Sequence, residues 1–246
     1  METFTNRNNT KKVLMKVAIM ATLYERRENA VRTIQSIALQ VDEVRVILNI
    51  RGAEPVAEWI DLIQSAAPNV DIDISDNRLG CGERFRGVKT KGYYFTCDDD
   101  LIYPDDYVGI MMYKVDLYKC VVSMHGRRFT SKVIDRYYGC RDVEAYRCLY
   151  NDSIHDLTIH VPGAGVMAWH TNDVDLSYGM FNEKNMDDVE VARICHQQGV
   201  GIKFIAHAAD YFEYMPPPAG TTIHDIESPS GGVEQTRIVN EILKEL

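Results

Sequence analysis

An α/β fold, with helices on both faces of a mostly parallel central sheet, follows from three features of this 246-residue chain. Short apolar runs alternate with amphipathic stretches of helical period, Gly and Pro punctuate them, and 46% hydrophobic with 26% charged residues is the balance of a globular chain with a sizeable core. Residues 13–20 form a β-branched apolar run that reads as the first buried strand, ending near Ala21. From 27 to 41, Ala30, Val31, Ile34, Ile37, Ala38 and Val41 recur at helical spacing. Residues 44–50 give a second strand, and 54–66 a helix with Val56, Trp59, Ile60 and Ile63 on one face, stopped by Pro68. A third strand spans 70–74, a Gly-rich charged loop and a short helical stretch reach Lys89, and a fourth strand, 93–97, runs directly into Asp98, Asp99 and Asp100.

The second half is less regular. Residues 106–118 and 187–198 read as helices, the latter stopped by Gly199, while 120–124, 166–169 and 201–206 read as strands. Residues 130–156 are polar and aromatic without a period. Pro216, Pro217 and Pro218 forbid regular structure, 222–232 reads as a flexible loop, and 233–246 is an amphipathic helix.

A net charge of −9 argues against a surface built to neutralise many phosphates; Arg127, Arg128 and Lys132 form the one local cationic patch singled out. Six cysteines show neither CxxC pairs nor zinc-ligand spacing, which predicts a reducing, cytoplasmic setting. No run approaches the roughly 20 apolar residues of a membrane span, and the polar stretch 1–12 is expected to be a disordered tail.

The chemistry concentrates at Asp98, Asp99 and Asp100. Ligands bind open α/β sheets at the carboxyl ends of strands, and adjacent carboxylates there repel one another unless a cation neutralises them, which suits Mn²⁺ or Mg²⁺ bridging to phosphates. A solvated acidic turn is the alternative. This segment resembles the DxD region of glycosyltransferases with the GT-A fold, particularly family 2 and its DDD-bearing relatives. Residues 21–26 (ATLYER) stand where those enzymes have a Thr-x-Tyr-x-Arg-like turn, and 76–84 (DNRLGCGER) is similar to their Asn-x-Gly-x-x-x-Arg stretch. The resemblance implies that Thr22, Tyr24, Glu25, Asn77 and Arg84 bind a nucleotide-sugar donor, with Asp98 and Asp99 towards its ribose and Asp100 on the metal.

Asn185, Met186, Asp187 and Asp188, at the start of a helix, resemble the Glu-Asp pair of inverting members, which makes Asp188 the candidate base. Acids stabilising a helix N-terminus are the plainer reading. The segment 161–165 (VPGAG) with Trp169 resembles the frame of an acceptor site, to which Gly163, Trp169 and Asp187 are assigned. The C-terminal His that completes the metal shell in many members has no counterpart at 212–213, so His224 is assigned, with His207 as the substitute. The resemblance thus implies a GT-A, Rossmann-like body with a small acceptor-side subdomain: a nucleotide-sugar-binding half at 13–104, an acceptor-binding half at 105–215, and a lid loop with a C-terminal helix at 216–246. The implied reaction is metal-dependent, inverting transfer from a nucleotide-diphospho-sugar, with UDP as the expected nucleotide, to a hydroxyl of a glycan, nucleic acid or protein. A nucleotidyltransferase acting on sugar phosphates is the second enzymatic reading, although 21–29 lacks the glycines of such enzymes. A non-catalytic carbohydrate-binding protein of the same fold is the third.

Overall fold

The computed structural model describes residues 14–222 and 230–245. In chain order the strands are β1 (Met15–Leu23), β2 (Glu43–Asn49), β3 (Val70–Ser75), β4 (Gly92–Cys97), β5 (Leu101–Ile102), β6 (Val121–Ser123) and β7 (Gly126–Phe129). They continue with β8 (Val143–Tyr146), β9 (Leu157–Thr158), β10 (Val161–Pro162), β11 (Val166–His170), β12 (Ile202–Phe204) and β13 (Glu213–Tyr214). The helices are α1 (Arg27–Ile37), α2 (Val56–Gln64), α3 (Tyr107–Tyr118), α4 (Asp187–Gln197) and α5 (Val233–Glu245), with a 3₁₀ stretch at Gly80–Gly87.

The central sheet has the order β3-β2-β1-β4-β11-β6-β12-β9. Strands β1 to β4 are mutually parallel, and β6 and β12 run the same way, whereas β11 and the edge strand β9 are reversed. The expected mostly parallel α/β sheet is therefore present, with one interior strand against the grain. Periodicity reports burial and not direction, so β11 reads from sequence as one more apolar strand. The four strands from 13–104 form one side of this sheet (β3-β2-β1-β4) and the four from 105–215 the other (β11-β6-β12-β9), joined where β4 pairs with β11.

Alternation along the strands divides the core in two. Val17 and Ile19 of β1, Tyr94 of β4 and Trp169 of β11 face one side, where Phe85, α4 and α5 cover them. Ala18, Met20, Phe95, Cys97 and Ala168 face the other, against α1, α2 and α3. Burying each large apolar side chain contributes about 1.5–3 kcal/mol. The helical stripe read at 27–41 ends earlier, at Ile37, with a 3₁₀ turn to Gln40. Gly199 stops α4 in a left-handed conformation (φ +67°), its N–H donating to the His196 carbonyl.

Residues 130–156 gain order from tertiary pairing: β8 joins β7 and β10 in a three-stranded antiparallel sheet beside the main one. No helix among the described residues is long and apolar enough to cross a membrane.

Candidate functional site

The aspartate triplet sits where β4 ends, and the three carboxylates do different work. Asp98 is held from two sides: Arg84 Nη2 donates to its Oδ1 at 2.9 Å, and its backbone N–H donates to the Tyr103 hydroxyl at 2.9 Å. Gly165 lets the Asp98 carboxylate lie against the backbone, since a Cβ there would lie 1.9 Å from Asp98 Oδ2 in this position. Asp99 is 3% exposed. Thr22 Oγ1 donates to one of its oxygens at 2.6 Å and Arg26 pairs with the other at 2.9 Å. Asp99, expected at the ribose, thus has both oxygens committed to the chain and serves to fix Thr22 and Arg26. The Thr22 hydroxyl is spent in the same contact. Asp100 pairs with Arg26 Nη2 at 2.6 Å. Burial, reinforced by the neighbouring charge of Asp98, pushes the Asp100 carboxyl up to about 7 despite Arg26.

Two cavities open from this triplet. The larger, about 490 Å³, is lined by Thr22, Arg26, Asn49, Arg51, Asn77, Gly80, Arg84, the three aspartates, Lys184 and Asn185, among others. Asn77 and Gly80 take left-handed conformations (φ +58° and +61°), and a Cβ on Gly80 would lie 1.8 Å from Asn185 Oδ1. Asn49, at the end of β2, is 3% exposed. Its amide donates to the Gly80 carbonyl at 2.9 Å, which orients the side chain, and its Oδ1 has no hydrogen-bond partner among the described residues. A buried acceptor left open in a cavity costs free energy until a ligand N–H or water fills it.

Two expected donor residues lie elsewhere. Tyr24 packs edge-on against Trp59 (centroids 5.5 Å apart) beneath the Arg27 guanidinium, and does not line the cavity. Glu25 is an exposed partner of Arg51, so at this end the lining group is Arg51.

The smaller cavity, about 180 Å³, adjoins the first and shares Cys81, Arg84, Asp98 and Asn185 with it. Gly163, Asp187 and Asp188 line it together with His125, Arg127, Tyr137 and Tyr138. Asp188 Oδ2 accepts from the Tyr137 hydroxyl at 2.8 Å, and Oδ1 accepts from the Val189 N–H at 2.8 Å. Burial and the Asp187 charge push Asp188 up to about 6, in the range where a carboxylate is an effective base near neutral pH. Asp187 is turned inward: Cys81 Sγ donates to its Oδ1 at 2.7 Å, and Arg84 Nε lies 3.3 Å from its Oδ2. Arg84, 4% exposed, therefore ties Asp98 to Asp187 and also donates to the carbonyls of Cys81, Cys97 and Ala164.

Trp169 requires a correction. It is fully buried on β11, stacked on Tyr94 with centroids 5.3 Å apart, and lines neither cavity. The β-strand alternation that sends Ala168 to the α3 face sends Trp169 into the opposite core, away from any sugar. His207 is also unsuited to a metal, since its two ring nitrogens lie 2.9 and 3.0 Å from the Ala208 and Met124 carbonyls. His224 lies outside the described residues. Among the described residues, no three His, Cys, Asp or Glu side chains converge as a metal cluster.

Sequence reasoning gave no role to Arg26, Asn49, Arg51, Lys184 or Tyr137. Asn49 had a usable signal, a polar residue closing an otherwise apolar parallel strand at the ligand-binding edge. Arg26 ends a 3₁₀ turn, Tyr24–Arg26, and the others arrive from loops.

No family model matches the chain, and no curated protein matches it. Some solved structures are similar to it. One is S. aureus TarS, residues 1–349, a glycosyltransferase: 12% identity, TM-score 0.49, covering 92% of this chain and 64% of that one. The chain thus spans less than two thirds of that structure's length. Another is 4-diphosphocytidyl-2C-methyl-D-erythritol synthase from Anaerococcus prevotii, a nucleotidyltransferase: 10% identity, TM-score 0.49, covering 90% of this chain and 96% of that one. At these scores neither likeness decides between the two chemistries.

Proposed function

We propose that the chain is a metal-dependent, inverting glycosyltransferase that moves a sugar from a UDP-sugar to a hydroxyl. The observation that carries this reading is the junction of the two cavities at Asp98: a carboxylate-rich cavity on one side, and on the other a smaller one holding a carboxylate poised near neutral pH.

The larger cavity suits the donor. Asn49 Oδ1 would accept from the N–H of a pyrimidine base, and Arg26, Arg51 and Lys184 offer charge to the diphosphate. The residues fit a divalent cation: Asp100 is raised first by burial and then by the Asp98 charge, so a positive charge beside the pair relieves the cost, and Mg²⁺ or Mn²⁺ is commonly bound by one or two carboxylates with phosphates and water completing the shell. Asp100 would hold it with Asp98 alongside, and when bound it supplies charge neutralisation to the departing diphosphate. Asp188 removes the acceptor hydroxyl proton as that oxygen bonds to the anomeric carbon. The carbon–oxygen bond to the diphosphate breaks, the leaving group takes the electron pair, and the anomeric centre inverts. Tyr137 and the Val189 N–H hold Asp188 in place, and Arg84 fixes the wall between the reactants.

The experiment is a thermal-shift screen of nucleotide sugars with and without Mn²⁺, because a donor that binds only the folded state raises its melting temperature, followed by product analysis. Release of nucleoside diphosphate supports the proposal. Release of pyrophosphate from a nucleoside triphosphate and a sugar phosphate replaces it with the nucleotidyltransferase reading, and no stabilisation by any donor favours a non-catalytic carbohydrate-binding protein.

A further inference from the structure

The smaller cavity is lined by two guanidinium groups with opposite commitments. Arg84 is consumed by Asp98, Asp187 and three carbonyls. Among the described residues Arg127 has no carboxylate within ion-pair distance, and its guanidinium makes one hydrogen bond, a long one of 3.4 Å from Nη1 to the Tyr137 carbonyl. The nearby arginines differ, with Arg128 paired to Glu144 and Arg147 to Asp152. In a chain of net charge −9, an arginine facing a cavity without an acidic partner stands out.

Arg127 is also held firmly. It sits on β7, paired with Val161 of β10 and Ala145 of β8, and its backbone carbonyl accepts from the His160 N–H at 2.9 Å. Its guanidinium lies 4.4 Å from the Tyr137 ring centroid and 5.7 Å from that of Tyr138. Stacking on a ring occupies the face of the planar group and leaves its N–H edge to receive an oxyanion, a geometry that a flexible ammonium does not offer. Tyr137 is the same residue whose hydroxyl holds Asp188, so one side chain fixes both the base and the cation.

The charge around them is accounted for. Asp98 and Asp187 are offset by Arg84, and His125, pushed down to about 4 by burial, is neutral. Arg127 and Asp188 remain as the two lining charges outside the Arg84 cluster, not ion-paired but within each other's field, since the Arg127 charge lowers the Asp188 value. Gly126, Gly163 and Gly165 let the walls of the cavity approach closely, because a Cβ on them would lie 2.4 Å from Ile159, 2.5 Å from His125 and 1.9 Å from Asp98.

Building on the transferase reading, we infer that the acceptor is an acidic one, a sugar or polyol whose phosphate or carboxylate docks on Arg127 while its hydroxyl meets Asp188. The acceptor is thereby selected by charge as well as by shape.

The test titrates the full chain with glucose, glucuronate and glucose 6-phosphate by calorimetry. Both acidic probes should bind at least about tenfold tighter than glucose, a difference of about 1.4 kcal/mol, and their order tells carboxylate from phosphate. Arg127→Gln should erase the preference and leave weak glucose binding as it was, while Arg127→Lys should restore only part of it. Equal binding of glucose and the acidic probes, native-like preference in Arg127→Gln, or no binding of any probe at millimolar concentration each overturns the inference. Should Arg127→Gln fold poorly, the native protein still decides, since added chloride must weaken the acidic probes and not glucose. The donor screen separates this from the parent reading. If no donor binds but glucose 6-phosphate still depends on Arg127, the transferase falls and the anion site stands; donor binding without that dependence gives the reverse.

Discussion

The two cavities share a wall and differ in how they are built. The larger is floored by side chains from the carboxyl ends of β1, β2 and β4, parallel neighbours whose ends a single sheet edge brings together, with residues 77–84 and 184–185 walling it. The smaller is assembled from the loop before β11, the start of α4, β7 and the turn carrying Tyr137, which is itself tied down by the Gly231 carbonyl and Thr236 of the α5 region. The first is a property of the sheet, and the second is a meeting of segments far apart in sequence. One expects the first to be tolerant of distant change and the second to depend on several supports at once.

Substitutions can break that contrast or sharpen it. Asp188→Asn should lower transfer by about 10²–10⁴-fold, the worth of a general base, while the donor-induced thermal shift persists; transfer within threefold of native, on the order of 0.6 kcal/mol, refutes the base assignment. Arg84→Met should disturb both cavities together, since removing one member of a buried charge cluster costs about 3–5 kcal/mol, read from urea unfolding. A loss below about 1 kcal/mol, the worth of an exposed pair, would show that Asp98 and Asp187 do not depend on it.

On the donor side, Asn49→Leu should weaken binding of a uridine nucleotide by about 1 kcal/mol, one net hydrogen bond, and narrow the preference over a purine nucleotide. Asp100→Asn tests the crowding of the triplet through pH. The Asp100 carboxyl is raised in the folded protein, so its favourable contribution is full below its unfolded value of 3.8 and is lost as pH rises through about 7. The variant should therefore gain stability relative to the native protein between pH 4 and pH 8, by urea midpoints; parallel curves would contradict the shift.

The smallest effect is expected from Tyr137→Phe. Transfer must rise with pH through about 6 as Asp188 ionises. The Tyr137 hydrogen bond lowers that value, so losing it should move the limb of the kcat/KM profile upward with less than about a tenfold loss at its plateau. An unmoved limb would mean that Asp188 is not the titrating group.

The same contrast explains what could be read without coordinates. Strand-and-helix alternation up to Cys97, the triplet that follows it and the Asn77 loop are local patterns, and each falls where periodicity and strand-end logic place it. The position of Asp188 in the first turn of a helix was accessible from the pattern of 187–198. Trp169 was misplaced because an aromatic after VMA carries no sign of which face it takes. Tyr24 was misplaced because its partner, Trp59, lies on another helix. Arg127 and Tyr137 were invisible as a pair, since only the β7–β8–β10 sheet and the tie to α5 join them.

The reversed strand β11 has a consequence in time. Its pairing with β4 spans 71 residues where Thr96 bonds Met167, whereas β1, β2 and β3 find one another across much shorter loops. Closing long loops is entropically slower. Strand β4 joins β1 across a comparable span, with Met15 opposite Gly92, so the aspartate triplet, the seat that Gly165 makes for Asp98 and the wall common to both cavities should all appear after the β1–β3 layer has formed.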